Sequence, residues 1–208
     1  EFYGWDFWVD KSVLIPRPET EQMVEIASDL INKQLTNSQP VILMDIGTGS
    51  GCVPIAILKS IGRPIETIAV DISRHALAVA QKNAKKHGVK IKFLWGDLLA
   101  PIIKNPPAPL TNIVITANLP YLTKKQFVSE PSIQHEPKSA LIADDQDGLS
   151  LYQKLFDQIK TNFDNFSLTV ICEIDPSQTA GITALVQNIF PHARWEIKKD
   201  LCGRDRIV

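Results

Sequence analysis

The segment Asp45-Ile46-Gly47-Thr48-Gly49-Ser50-Gly51 constrains this chain more than any other. A short apolar run, Val41 to Met44, enters it, and an apolar helical stretch, Val53 to Ile61, leaves it at once. A strand that turns through glycines into a helix is the first βα turn of a doubly wound sheet, where ligands sit beyond the carboxyl ends of the strands. Glycine lets the backbone turn tightly there and lets a ligand approach where a Cβ would clash. The dinucleotide fingerprint needs glycine at its first, third and sixth positions, and counting from Gly47 the sixth is Cys52. The glycines stand instead at alternate positions 47, 49 and 51.

The rest of the chain continues the alternation. From Thr20, a good N-cap, Met23, Val24, Ala27, Leu30 and Ile31 recur at three- and four-residue steps and predict a helix that polar residues Thr36 to Gln39 end. After the glycine loop come a strand at Ile65–Val70, a helix at Arg74–His87, and strands at Ile91–Leu94 and Asn112–Ala117. A helix at Leu149–Phe163, a strand at Leu168–Ile174 and a helix at Gln178–Phe190 follow. Repeated βα units call for a mostly parallel sheet covered on both faces. Two final runs, Arg194–Lys198 and Arg204–Val208, suit an antiparallel C-terminal edge. Aromatic Phe2–Val9 and proline-biased Val13–Pro18 read as a short N-terminal strand pair, a lip over residues 1–19. Pro101–Pro109 reads as a surface loop, and Leu122–Gln146 is too long for a mere connector and is a candidate substrate-binding segment. The expected fold is one α/β domain over 1–208, doubly wound and Rossmann-like.

Composition excludes several classes of function. A net charge of -1 gives no overall field for a polyanion, so nucleic acid is disfavoured as a partner. Cys52, Cys172 and Cys202 are too few and too scattered for a disulfide framework or a zinc cluster, which suits a reducing cytoplasmic setting. No metal is expected, since His75, His87, His135 and His192 lack ligand spacing. No apolar run approaches the ~18 residues of a membrane span, and the first ten residues have no signal-peptide pattern.

The alternate-glycine spacing resembles motif I of class I methyltransferases, which implies S-adenosyl-L-methionine as cofactor, held by Asp45, Gly47, Thr48, Gly49, Ser50 and Gly51. Asp71, with Ile72, ends the second strand about 20 residues on, where a carboxylate can accept from both ribose hydroxyls. Asp97 follows the third strand and can accept from an adenine amine, while Leu98 supplies a backbone N–H and an apolar wall. Taken singly, Asp71 and Asp97 also suit plain strand-ending turns.

The fourth strand delivers Asn118, Leu119, Pro120 and Tyr121 to the same edge as the glycines, which makes them the candidate catalytic group. An amide or aryl amine nitrogen has its lone pair delocalised and attacks a methyl sulfonium poorly. Asn118 Oδ1 and a nearby backbone carbonyl can each accept one N–H, orienting the NH2 and enriching the nitrogen. Pro120 stiffens the loop, and Tyr121 offers an aromatic face for a planar acceptor. Asn118 also borders the cofactor. A lone Asn-x-Pro also suits a strand-ending turn.

With these residues in place, the chain resembles the HemK/PrmC protein-(glutamine-N5) methyltransferases that modify peptide chain release factors. The resemblance runs over nearly the whole chain: Ile15-Pro16-Arg17-Pro18-Glu19-Thr20-Glu21, the 45–51 loop, Glu136 and Pro137, Ala140 and Leu141, Gly148 and Leu149, and Gly203-Arg204-Asp205-Arg206. It implies that Asn118 to Tyr121 hold the glutamine of a release factor's Gly-Gly-Gln tip and that Arg17, Pro18 and Glu19 shape the substrate pocket. The latter three also suit a solvated turn before a helix. Two departures stand out. Leu119 replaces the family's usual proline, and Asn-Leu-Pro-Tyr also occurs in methyltransferases that dimethylate adenine in ribosomal RNA. The N-terminal helical docking domain of bacterial members is not present in 1–208. Four functions follow in order: a glutamine methyltransferase acting as a monomer on a release factor; an adenine-N6 methyltransferase of RNA or DNA that uses Lys124, Lys125 and Lys138; a non-catalytic cofactor-binding module; and, distantly, a dehydrogenase.

Overall fold

The computed structural model describes residues 1–36, 40–108, 111–143 and 145–208. The expected helix-ending residues 37–39, the end of the proline-rich loop at 109 and residue 144 of the long segment lie outside the described residues. Five parallel strands form the central sheet: β1 (Val41–Ile46), β2 (Glu66–Asp71), β3 (Lys92–Trp95), β4 (Asn112–Ala117) and β5 (Ser167–Cys172). Their order is β3-β2-β1-β4-β5, so the winding reverses between β1 and β4 and opens a crevice there.

Among the described residues the helices are α1 (Glu21–Thr36), α2 (Cys52–Ile61), α3 (Arg74–His87), α4 (Ala100–Ile103), α5 (Lys124–Ser129), α6 (Ser150–Asn162) and α7 (Thr179–Ile189). Residues alternate between faces along each strand. Ile42, Met44 and Ile46 of β1 join a core with α6 and α7, whereas Val41 and Leu43 join one with α1 and α2. Helix α2 is buried along most of its length, and its Pro54 stands in the first turn, where a missing N–H costs nothing. Helix α3 keeps its expected bounds because local chemistry fixes both ends. The Ser73 hydroxyl accepts from Ala76 N at 3.2 Å, and Gly88 closes the helix in the left-handed region.

The antiparallel edge forms from β6 (Lys198–Lys199) and β7 (Asp205–Ile207). It joins the end of β5 through Cys172 and Val208, which exchange backbone hydrogen bonds at 2.8 and 2.9 Å. Of the expected strand at 194–198, only Lys198 pairs.

Two expectations need correcting. The N-terminal strand pair is a single bridge, Phe2 to Trp5, closed by a turn through Tyr3 and Gly4. The extended residues that follow bond to side chains instead of to each other: Trp8 N donates to Asn83 Oδ1 at 2.8 Å, and Asn83 Nδ2 donates to Trp8 O at 2.9 Å. The proline-rich loop begins with a helical turn, α4, because Pro101 falls at a helix start, where its fixed φ is already suitable.

Candidate functional site

A cavity of about 530 Å³ opens at the carboxyl ends of β1, β2 and β4, a size suited to a nucleoside-bearing ligand. The glycine loop forms its floor. Gly47 N and Thr48 N both donate to Val70 O, at 2.9 and 3.0 Å, which ties the loop to β2. Gly47 has φ +73, and a Cβ there would stand 3.0 Å from Leu119 Cδ2, so the loop and the 118–121 segment approach as closely as glycine allows.

Asp71 anchors the second wall. Its Oδ2 accepts from Gly49 N at 2.9 Å and its Oδ1 from Ser73 N at 2.8 Å. Burial raises its pKa, and these two N–H groups oppose the rise. Each oxygen keeps a further lone pair, so the fixed carboxylate can accept two ribose hydroxyls. Ile72 is exposed beside it and lines the cavity. Leu98 is buried and held at φ +51, costing roughly 1–2 kcal/mol for a residue with a Cβ. Asp97 lines the same end but is partly exposed and already ion-paired with Lys154 of α6.

Asp45 lines the cavity as well and is tied into the sheet beneath it. It is 3% exposed, and burial pushes its pKa up to about 6 despite a hydrogen bond from Thr116 Oγ1 at 2.6 Å. It ties β1 to β4 beneath the crevice. Thr48 and Ser50 also line the cavity, and Ser50 O accepts from Asn83 Nδ2 at 2.8 Å.

Asn118, Leu119 and Pro120 close the cavity from β4. Asn118 and Leu119 also line an adjoining groove of about 340 Å³ together with Arg17, Tyr121 and Gln126. Leu119 is 3% exposed, so its side chain belongs to the core beneath the loop. Its N donates to Tyr152 Oη at 3.3 Å, and among the described residues no protein donor reaches its carbonyl. Tyr121 lies in the groove but outside the larger cavity, and burial raises the pKa of its phenol.

The stretches around Ile15–Arg17 and Glu136 meet. Glu136 is 9% exposed, pairs with the Arg17 guanidinium and accepts from Ile15 N at 2.9 Å. It thereby pins the 122–143 segment, which has its own small core of Phe127, Ile133 and Leu141 packed against Leu14. Arg17 lines the cavity, whereas Pro18 and Glu19 are exposed and do not.

Three residues beneath the 118–121 loop, Thr20, Tyr152 and Glu173, take part in the site without having been expected there. Thr20, expected to cap α1, instead lies in a short 3-10 turn, Pro18–Thr20, and donates its hydroxyl to Glu173 Oε2 at 2.6 Å. Glu173, 1% exposed just beyond β5, also accepts from Tyr121 Oη at 3.3 Å. Tyr152 donates to the Glu173 carbonyl. Glu173 did leave a signal: a lone charge in the apolar run Leu168–Ile174 must find partners when the strand is buried. Tyr152 left none, being one apolar-face residue among several on α6.

Comparison with known proteins places these features in context. The model of the methyltransferase small domain family matches residues 20–127. The release factor glutamine methyltransferase of Bacillus subtilis is 35% identical across all of this chain and 70% of its own length. That of Staphylococcus aureus is 36% identical, again across the whole chain and 71% of the relative. Among solved structures, the N-terminal domain of human METTL16 in complex with SAH aligns with a TM-score of 0.66. That alignment covers 99% of this chain and 74% of the other at 15% identity, a likeness of fold.

Proposed function

The chain belongs to the release factor glutamine methyltransferase family, and from that premise we propose that Asn118, Leu119, Pro120 and Tyr121 grip the glutamine side chain of a release factor's Gly-Gly-Gln tip for methylation at N5. Its cofactor is S-adenosyl-L-methionine, which supplies an electrophilic methyl group on a sulfonium. The residues of the cavity fit that group: glycines where a Cβ would collide, a fixed carboxylate at Asp71, and apolar Ile72 and Leu98 around the base.

One observation carries the assignment of the acceptor site. Asn118 and Leu119 form the wall shared by the cofactor cavity and the adjoining groove, so a side chain entering the groove reaches the cofactor across them. Asn118 Oδ1 and the Leu119 carbonyl each accept one N–H of the entering amide, which orients its nitrogen and raises its electron density. Position supplies the remainder of the acceleration, since a held nitrogen in line with the methyl saves the entropy of encounter. Tyr121, its hydroxyl held by Glu173, packs its ring against the planar amide. Because the Leu119 side chain lies beneath the loop, leucine in place of proline alters the packing under the site and leaves the accepting carbonyl in place.

Residues 1–208 act as one methyltransferase domain, a monomer working in the cytoplasm on a protein acceptor. The net charge of -1 supports a protein over a nucleic acid. Among the described residues no helix is long and apolar enough to cross a membrane. The test is transfer of labelled methyl from S-adenosyl-L-methionine to a purified release factor, with the tip glutamine replaced by alanine as control. Label is expected on the parent factor alone, and label that survives the replacement would defeat the assignment.

A further inference from the structure

We propose that Thr20 and Glu173 are positioning residues that determine which end of the Asn118 amide faces the acceptor; this rests on the reading that Asn118 grips an amide N–H. The two ends of an asparagine side chain have nearly the same shape and opposite polarity. A primary amide acceptor offers only N–H groups at its nitrogen, so Asn118 must present its oxygen. An asparagine turned the other way would oppose donor to donor.

The polarity is set from below. A carboxylate only accepts, and Glu173 Oε2 takes the single hydroxyl proton of Thr20 at 2.6 Å. Thr20 Oγ1 then has only lone pairs left, and what approaches it, at 3.2 Å, is Asn118 Nδ2. Thr20 and Glu173 are 3% and 1% exposed, so water cannot supply a substitute proton or acceptor. The order Glu173, Thr20, Asn118 therefore runs one way and leaves Asn118 Oδ1 for the substrate.

Glu173 is itself fixed at several points. Its N donates to Ala117 O at 3.0 Å, immediately before Asn118. Its carbonyl accepts from Tyr152, whose oxygen accepts from Leu119 N at 3.3 Å. Its Oε1 accepts from Tyr121 at 3.3 Å. Glu173 thus holds the 118–121 loop at both ends through its carboxylate, by way of Thr20 and Tyr121, and at Leu119 through its backbone carbonyl by way of Tyr152. Burial raises its pKa, while the Thr20 hydroxyl, the Arg206 cation and the Tyr121 hydroxyl favour its charged form.

The experiment compares Thr20→Val, which removes the hydroxyl, with Thr20→Ser, which keeps it. Thr20→Val should lower kcat at least about tenfold with cofactor affinity within about threefold of the parent, whereas Thr20→Ser recovers at least about a third of the parental kcat. Thr20→Val turning over within about threefold of the parent, or Thr20→Ser falling as far as Thr20→Val, overturns the inference. A second readout needs neither turnover nor a stable variant. In the parent protein the Asn118 side-chain NH2 protons should show nuclear Overhauser effects to Thr20, and their absence overturns the inference outright. Should the parent transfer no methyl to a release factor while those effects are present, the assigned function falls and the positioning stands.

Discussion

Gly47→Ala tests the close approach between the cofactor loop and the 118–121 loop. Two separable costs arise. The backbone at φ +73 would carry a Cβ, for roughly 1–2 kcal/mol. The new methyl would stand 3.0 Å from Leu119 Cδ2, and since Leu119 is only 3% exposed it has little room to retreat, adding about 1–3 kcal/mol of overpacking. The sum, roughly 2–5 kcal/mol, corresponds to a fall in Tm of roughly 4–20 °C for a chain of this size. Leu119→Ala deletes the atom that the methyl would meet, so in that background Gly47→Ala should cost only the backbone part. Urea unfolding of the parent, both single variants and the double variant gives the coupling, expected at about 1–3 kcal/mol. Additivity within about 0.5 kcal/mol would refute the claim that the two loops are in contact through these atoms.

Asn118→Ala should lower kcat by about a hundredfold or more while leaving the cofactor Kd within about threefold, measured by turnover and calorimetry; lost cofactor binding would contradict its assignment to the acceptor. Asp45 gives a pH signature. Its folded pKa, about 6, lies above its ordinary value of 3.8, so the stabilisation it contributes is complete below the ordinary value and is lost as pH rises through about 6. The loss amounts to about 3 kcal/mol, and Asp45→Asn should lack it, so parallel stability curves for the two proteins between about pH 4 and 7 would count against the argument. Glu136→Ala strips partners from Arg17 and Ile15 N, at about 2 kcal/mol, and should speed amide hydrogen exchange across 122–143. Unchanged exchange there would show that Glu136 does not pin the segment.

The parts of the fold written in local chemistry could be read directly. Ser73 and Gly88 bracket α3, alternate glycines announce the first βα turn, and the apolar strand Asn112–Ala117 appears with its expected bounds. Elements settled by distant partners could not. The extended N-terminal residues looked like strands, but Asn83 on α3 satisfies Trp8, and Glu136 satisfies Ile15. Thr20 is a residue type suited to an N-cap, yet its hydroxyl donates to a carboxylate 153 residues away. The site shows the same division. Asn118 to Tyr121 and the glycine loop are contiguous motifs, whereas Thr20, Tyr152 and Glu173 come together only through the sheet order. Asp97 marks the middle ground: its place after β3 is as expected, and its pairing with Lys154 depends on where α6 crosses the sheet.

The most direct test of the central claim is to locate the transferred methyl. After reaction with S-adenosyl-L-methionine, a release factor digested and analysed by fragmentation mass spectrometry should carry one methyl group on the side-chain amide of its Gly-Gly-Gln glutamine, and Asn118→Ala should slow its appearance by about a hundredfold or more. A methyl group on any other residue, or transfer to RNA in place of the factor, would contradict the account.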